Sequence, residues 1–201
     1  MGLFITLVIL FFSVVLHEVA HGVVALWNGD STARDMGRLS LNPLRHVDPF
    51  GTVLLPLILV FLQSSVLFGW AKPVPINPLR FRNRAFGTLT VGAAGPGMNI
   101  ALALLFALGF RMASVADPFR VVCFYGASIN VLLAVFNMLP IPPLDGSRVV
   151  GALLSRELRT AYYSLERWGI FIVIALLYLG VIHKVIVPVY QWFLIRMLGS
   201  V

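Results

Sequence analysis

Four stretches of this chain, residues 2–27, 88–111, 119–139 and 168–187, are each apolar over the roughly twenty residues that a helix needs to cross the hydrocarbon core of a bilayer. A backbone crossing lipid has to satisfy its own hydrogen bonds, so the pattern restricts the fold to an all-α polytopic membrane protein. Composition agrees: 59% of the 201 residues are hydrophobic, 11% are charged, and the mean hydropathy is +0.93, beyond the range of a soluble domain of this size. The first stretch lacks a basic leader and a small-residue cleavage pattern and is long for a secretory signal, so it reads as a helix of the mature protein. Without repeats, low-complexity tracts or room for an appended soluble domain, residues 1–201 read as a single membrane domain.

The ends of the spans are punctuated. Asn28 and Gly29 can close the first, and Asp117 followed by Pro118 reads as an N-cap with proline at the first helical position of the third. Residues 51–69 are also apolar, but Pro56, Gln63, Ser64 and Ser65 interrupt them. The tail "VYQWFLIRMLGSV", from 189 to 201, is short and aromatic and is expected to lie at a membrane interface.

The formal net charge of +7 could suggest nucleic acid, but the Lys and Arg residues sit in loops between apolar spans, where topology accounts for them. No nucleic-acid partner is expected; the lipid bilayer is. Arg34, Arg38 and Arg45 follow the first span, Lys72, Arg80, Arg82 and Arg84 precede the second, and Arg148, Arg156, Arg159 and Arg167 precede the last. The positive-inside rule puts these groups in the cytosol and the N-terminus outside. Residues 51–69, flanked on both sides by cytosolic groups, must then return to the side they left. They do so either as a re-entrant element buried in protein or by crossing and coming back through the polar stretch that follows. Cys123, the single cysteine, excludes an intrachain disulfide and gives no sign of a thiol-metal cluster.

The first span carries "HEVAH", residues 17–21. A charged group at bilayer depth costs about 2.5 to 3.5 kcal/mol or more, so His17, Glu18 and His21 need a compensating partner. His17 and His21 are one helical turn apart on one face, within reach of a single metal ion. Glu18, offset by about 100°, can hydrogen-bond a metal-bound water instead of competing as a ligand. A catalytic zinc takes three protein ligands and keeps an open position. Among the few acidic residues, Asp145 in "FNMLPIPPLDGSR" is the candidate for the third, since Pro140, Pro142 and Pro143 stop the preceding helix and let an irregular segment turn toward the site. The competing reading of Asp145 with Gly146 is a turn or a helix N-cap.

Depth is consistent with this. Helical rise places His17 about 8 to 15 Å below the cytosolic surface and Asn99 of "GAAGPGMN" about 16 Å deep. Gly95 and Gly97 permit close helix approach, and Pro96 bends the backbone. Asn99 is a candidate for binding a substrate backbone. Asn137, at the helix break before Asp145, is the better candidate for polarising a scissile carbonyl. Asn130 reads as an interhelical hydrogen-bonding group, and Asp48 as the cap of the element after it. In "GWAKPVPINP" an extended strand would turn the missing donors of Pro73 and Pro75 to one edge and the N–H groups of Lys72, Val74 and Ile76 to the other, where an unwound substrate could pair. A rigid proline-rich turn is the alternative.

Taken in order on separate apolar spans, His17-Glu18-x-x-His21, Gly95-Pro96-x-x-Asn99 and Asn137-x-x-Pro140-x-x-x-x-Asp145-Gly146 resemble the site-2 protease family of intramembrane zinc metalloproteases. The likeness, which with "NPLRHVDPFGT" and "GWAKPVPINP" covers most of the chain, is to the compact prokaryotic branch without PDZ or CBS domains. The resemblance implies a multi-pass protein of a prokaryotic plasma membrane with its active site toward the cytosol. It implies hydrolysis of peptide bonds within or near transmembrane segments of membrane-protein substrates, as in regulated intramembrane proteolysis. It further implies one Zn²⁺ per chain held by His17, His21 and Asp145, with Glu18 as general base and then acid and Asn137 assisting at the substrate carbonyl. Two rivals are a catalytically silent scaffold of the same fold that binds membrane helices, and a metal transporter. Intact Glu18 counts against the first, and the clustering of ionisable groups at one site against the second.

Overall fold

The apolar runs among the described residues are helical, and side-chain caps and glycines set several of their ends. The computed structural model describes residues 2–54, 57, 58, 61 and 71–199. Helix α1 (Gly2–Trp27) stops at Gly29, whose φ is 105°. Gly29 N–H donates to the Leu26 carbonyl (3.0 Å) and Asp30 N–H to the Ala25 carbonyl (2.9 Å), a pair of bonds that requires a left-handed residue between them. Helix α2 (Arg84–Met112) is capped by the Asn83 side chain, which accepts from Phe86 N–H at 3.1 Å. Helix α3 (Pro118–Asn137) begins as the spacing predicts, with the Asp117 carboxylate accepting from Phe119 N–H at 2.8 Å and Pro118 at the first position. After the proline-rich turn, α4 (Asp145–Leu153) starts at Asp145 itself, with Leu144 in the capping position. Helix α5 (Arg156–Tyr163), a 3-10 turn (Ser164–Trp168), α6 (Gly169–Tyr178) and α7 (Val181–Leu198) complete the order.

Among the described residues, five segments are long and apolar enough to cross a membrane: Phe4–Trp27, Arg84–Met112, Pro118–Asn137, Arg156–Tyr178 and Val181–Leu198. The protein is thus an all-α polytopic membrane protein. Helix α2 is central and packs against α1, α3 and α4. Small residues let it do so: a Cβ on Gly92 would stand 3.0 to 3.3 Å from Arg148, Val149 and the Asp145 carbonyl, so the bare glycine lets the start of α4 lie directly on α2. At one end of the bundle Ala25, Phe81 and Val91 form a small core; at the other, Ala107, Phe110, Cys123 and Ala127 meet Leu198.

The C-terminal part departs from the expectation of one span over 168–187 followed by an interfacial tail. Gly180, at φ 69°, ends α6 and reverses the chain. The segment from α5 to α6 wraps the proline-rich turn: Tyr162 donates to the Pro140 carbonyl (2.8 Å), and Gly169 is pressed against Pro142 and Pro143. Helix α7 then runs back along α3, from Ile182 and Ile186 beside Val135 and Leu139 to Leu198 beside Cys123 and Ala127. Residues 189–198 are therefore the second half of a packed helix. Arg111 confirms its direction by donating to the carbonyls of Met197 (2.8 Å) and Arg196 (3.0 Å), the unpaired acceptors of a helix end.

No strand occurs among the described residues. Residues 71–77 instead form a strap without regular secondary structure, laid on α1 and the loop after it. Lys72 N–H donates to the His46 carbonyl (2.8 Å), Arg38 to the carbonyls of Lys72 (2.9 Å) and Pro73 (3.3 Å), and Asn77 N–H to Asp30 (2.6 Å). Val74 seats against Gly22, where a Cβ would come within 2.9 Å of it. Asp48 caps a π-helical turn, Pro49–Leu54, through Phe50 N–H and Gly51 N–H. The expected re-entrant course of 51–69 lies for the most part outside the described residues.

Candidate metal centre

The spacing of His17 and His21 on α1 does what a helical turn requires: both rings leave the same face and meet edge to face, 4.7 Å between centroids. Their Nε2 atoms are 3.0 Å apart. Asp145, first residue of α4, brings its Oδ2 to 3.1 Å from His17 Nε2 and 3.2 Å from His21 Nε2. Both histidines are buried, and these three donors form a group able to hold one metal ion. The three edges are close to the roughly 3.3 Å that separates ligand atoms about 2.0 to 2.1 Å from a tetrahedral zinc.

The chemistry of the donors supports the fit. His21 Nδ1 faces the Val91 carbonyl at 2.7 Å. A carbonyl only accepts, so Nδ1 carries the proton and Nε2 points a lone pair at His17 and at the carboxylate. A lone pair and a carboxylate oxygen this close repel unless a cation or a proton sits between them. Gly95 leaves the room: a Cβ there would stand 2.4 Å from His21 Nε2 and 2.5 Å from His17 Nε2, in the space the donors share. His17, His21 and Asp145 therefore fit zinc as a resident ion.

The remaining candidates fall around this centre. Glu18 turns to the strap, where its Oε2 accepts from Val74 N–H at 2.8 Å. Lys72 N–H and Val74 N–H, expected on a free edge, are thus both spent within the chain; Ile76 packs beside the Ala25, Phe81 and Val91 core. Asn99 sits behind His17 with its amide engaged on both sides, by His17 Nδ1 (2.6 Å) and Asn130 (2.9 Å), and is wholly buried. Asn137, the last residue of α3, folds its amide back onto the Leu133 carbonyl (3.0 Å). Sequence reasoning missed Val91, whose carbonyl sets the His21 ring, and took Gly95 only as a packing residue. The i, i+4 relation of Gly95 to Val91 on α2 was the available signal.

Fold and site together define a helical membrane protein with a buried centre suited to one metal ion. The profile of peptidase family M50 matches residues 111–180, which include Asn137 and Asp145. The chain is 38% identical over 186 residues to YwhC of Bacillus subtilis, covering 87% of this chain and 78% of that protein. It is 31% identical over 185 residues to Rip2 of Mycolicibacterium smegmatis, covering 90% of this chain and 69% of that protein. Both names assign their bearers provisionally to the zinc metalloproteases. No solved structure matches the chain. The chain belongs to peptidase family M50, a family of zinc proteases.

Proposed function

We propose that this chain is an intramembrane zinc endopeptidase, with one zinc per chain, that hydrolyses peptide bonds within or near the transmembrane segments of membrane-protein substrates. The carrying observation is the convergence of His17, His21 and Asp145 on one another inside a helical membrane bundle, to within 3.0 to 3.2 Å. The names of the relatives support the same reading. When bound, zinc supplies a Lewis acid that polarises the scissile carbonyl and acidifies water. Glu18, one residue round the helix from His17, takes a proton from the attacking water and returns it to the leaving amine. Val74 N–H holds one oxygen of that carboxylate at 2.8 Å, and the other oxygen keeps its lone pairs for the proton. Asn137 turns its amide from the Leu133 carbonyl to the substrate carbonyl as charge develops there.

A substrate pairing with the Lys72, Val74 and Ile76 edge would have to take the Val74 donor, which frees Glu18 at the moment substrate arrives. The distribution of basic residues among the loops supports a centre toward the cytosolic face of a prokaryotic plasma membrane, with the N-terminus outside. The testing experiment incubates purified protein in vesicles with single-span substrates. Cleavage by the native chain, lost in Asp145→Ala together with zinc, is expected. Zinc retained by a native chain that binds but never cleaves such helices would establish the scaffold instead.

A further inference from the structure

The carbonyl of Gly126 fixes the direction of a chain of buried hydrogen bonds that ends at His17. Asn130 Nδ2 lies 2.9 Å from that carbonyl oxygen and 2.9 Å from Ser13 Oγ. A carbonyl only accepts, so this end of Asn130 is its NH₂ and the opposite end its oxygen. The Asn130 oxygen faces Asn99 Nδ2 at 2.9 Å, and the Asn99 oxygen is thereby turned to His17 Nδ1 at 2.6 Å. His17 Nδ1 must then carry the ring proton, leaving a lone pair on Nε2, the atom beside His21 and Asp145. Asn99 and Asn130 are 0% exposed, so no bulk water competes for these positions. The path leaves α1 at Ser13, passes through α3 and α2, and returns to α1 one turn on, at His17.

We propose that Asn130, together with Ser13, is a positioning residue that sets the tautomer of His17 through Asn99 and so readies the centre for a divalent cation. Neither Asn130 nor Ser13 touches the three donors. A His17 ring without this acceptor can place its proton on Nε2, where it fills the space the cation needs. The proposal rests on the metal reading of the site, yet the tautomer belongs to the metal-free protein and is measured separately from metal binding. A set of hydrogen bonds that only stapled three helices would change thermal stability and would leave the His17 tautomer unaffected.

The protein has four histidines, so ¹⁵N-histidine labelling of the metal-free full chain in detergent micelles resolves the rings. His17 is expected as the Nδ1–H tautomer in the native chain. It is expected to stay so in Asn99→Asp, whose carboxyl keeps an acceptor toward His17, and to become mixed or Nε2–H in Asn99→Leu and Asn130→Leu. Zinc affinity, read by competition with a chromophoric chelator, is expected to fall about 10- to 100-fold in the two leucine variants and to hold near native in Asn99→Asp. An Nε2–H ring at His17 in the native chain overturns the proposal, as do leucine variants with native tautomer and affinity. The native spectrum can refute it alone, so variants that fail to fold do not shelter it. A native chain with Nδ1–H at His17 that binds no zinc upholds the tautomer assignment and overturns the metal reading.

Discussion

Gly95 and Gly97 look equivalent in "GAAGPGMN", and the structure separates them. A Cβ on Gly95 would press into both imidazoles, whereas one on Gly97 would meet nothing within 4 Å. Gly95→Ala is therefore expected to abolish zinc binding, and Gly97→Ala to leave metal content and melting temperature near native; metal analysis of the purified variants checks both. At Glu18, replacement by Gln removes the proposed base and keeps the residue's shape and its acceptor oxygen. Cleavage is expected to fall about 10²- to 10⁴-fold with zinc retained, measured as turnover of a single-span substrate alongside zinc content. At this scale the grouping of His17, His21 and Asp145 was legible in the sequence, because few residues can be charged in oil. The carbonyl of Val91 was not, since every residue has one and only the packing of α2 on α1 selects it.

The strap over α1 is held by acids at the element scale. The stop at Gly29 delivers Asp30 to a buried position, where it accepts from the Thr32 hydroxyl, Thr32 N–H (3.0 Å) and Asn77 N–H (2.6 Å). Burial works to raise its carboxyl, but the Thr32 side chain, the two backbone N–H groups and the charge of Arg80 outweigh it and hold it below its ordinary value of 3.8. A carboxylate depressed on folding stabilises the fold above its unfolded value and loses that contribution as pH falls through its folded one. Asp30→Ala is thus expected to destabilise by about 1 to 3 kcal/mol at pH 7, and the gap to the native chain should close on acidification below 3.8. Thermal melts of both chains at pH 7 and pH 3 test this; a gap independent of pH would mean that the charge of Asp30 does not pin the strap. The sequence suggested either an edge strand or a rigid turn here. Which one forms depends on acceptors from Glu18 and Asp30, more than forty residues away in sequence, beyond the reach of local propensity.

For the whole molecule, hydropathy revealed the membrane class and the first three crossings, and misplaced the last. Residues 168–187 are evenly apolar, so a window sees one span, while the single left-handed Gly180 divides it and assigns the crossing along α3 to α7. Cysteines placed at Arg111 and Arg196 are accordingly expected to label from one side of the membrane and a cysteine at Arg38 from the other, against a native Cys123 that is buried. Labelling of positions 111 and 196 from opposite sides would contradict the packing of α7. Three side chains from two helices distant in sequence, brought together by the bare backbone of Gly92 and Gly95, are expected to bind one zinc ion. Zinc K-edge X-ray absorption on the purified chain tests it most directly. About one zinc per chain is expected, with two imidazole ligands about 2.0 to 2.1 Å from the metal and the rest oxygen, and no such signal in Asp145→Ala. A native chain without zinc, or zinc held in the same shell after His17 and Asp145 are both replaced, would contradict it.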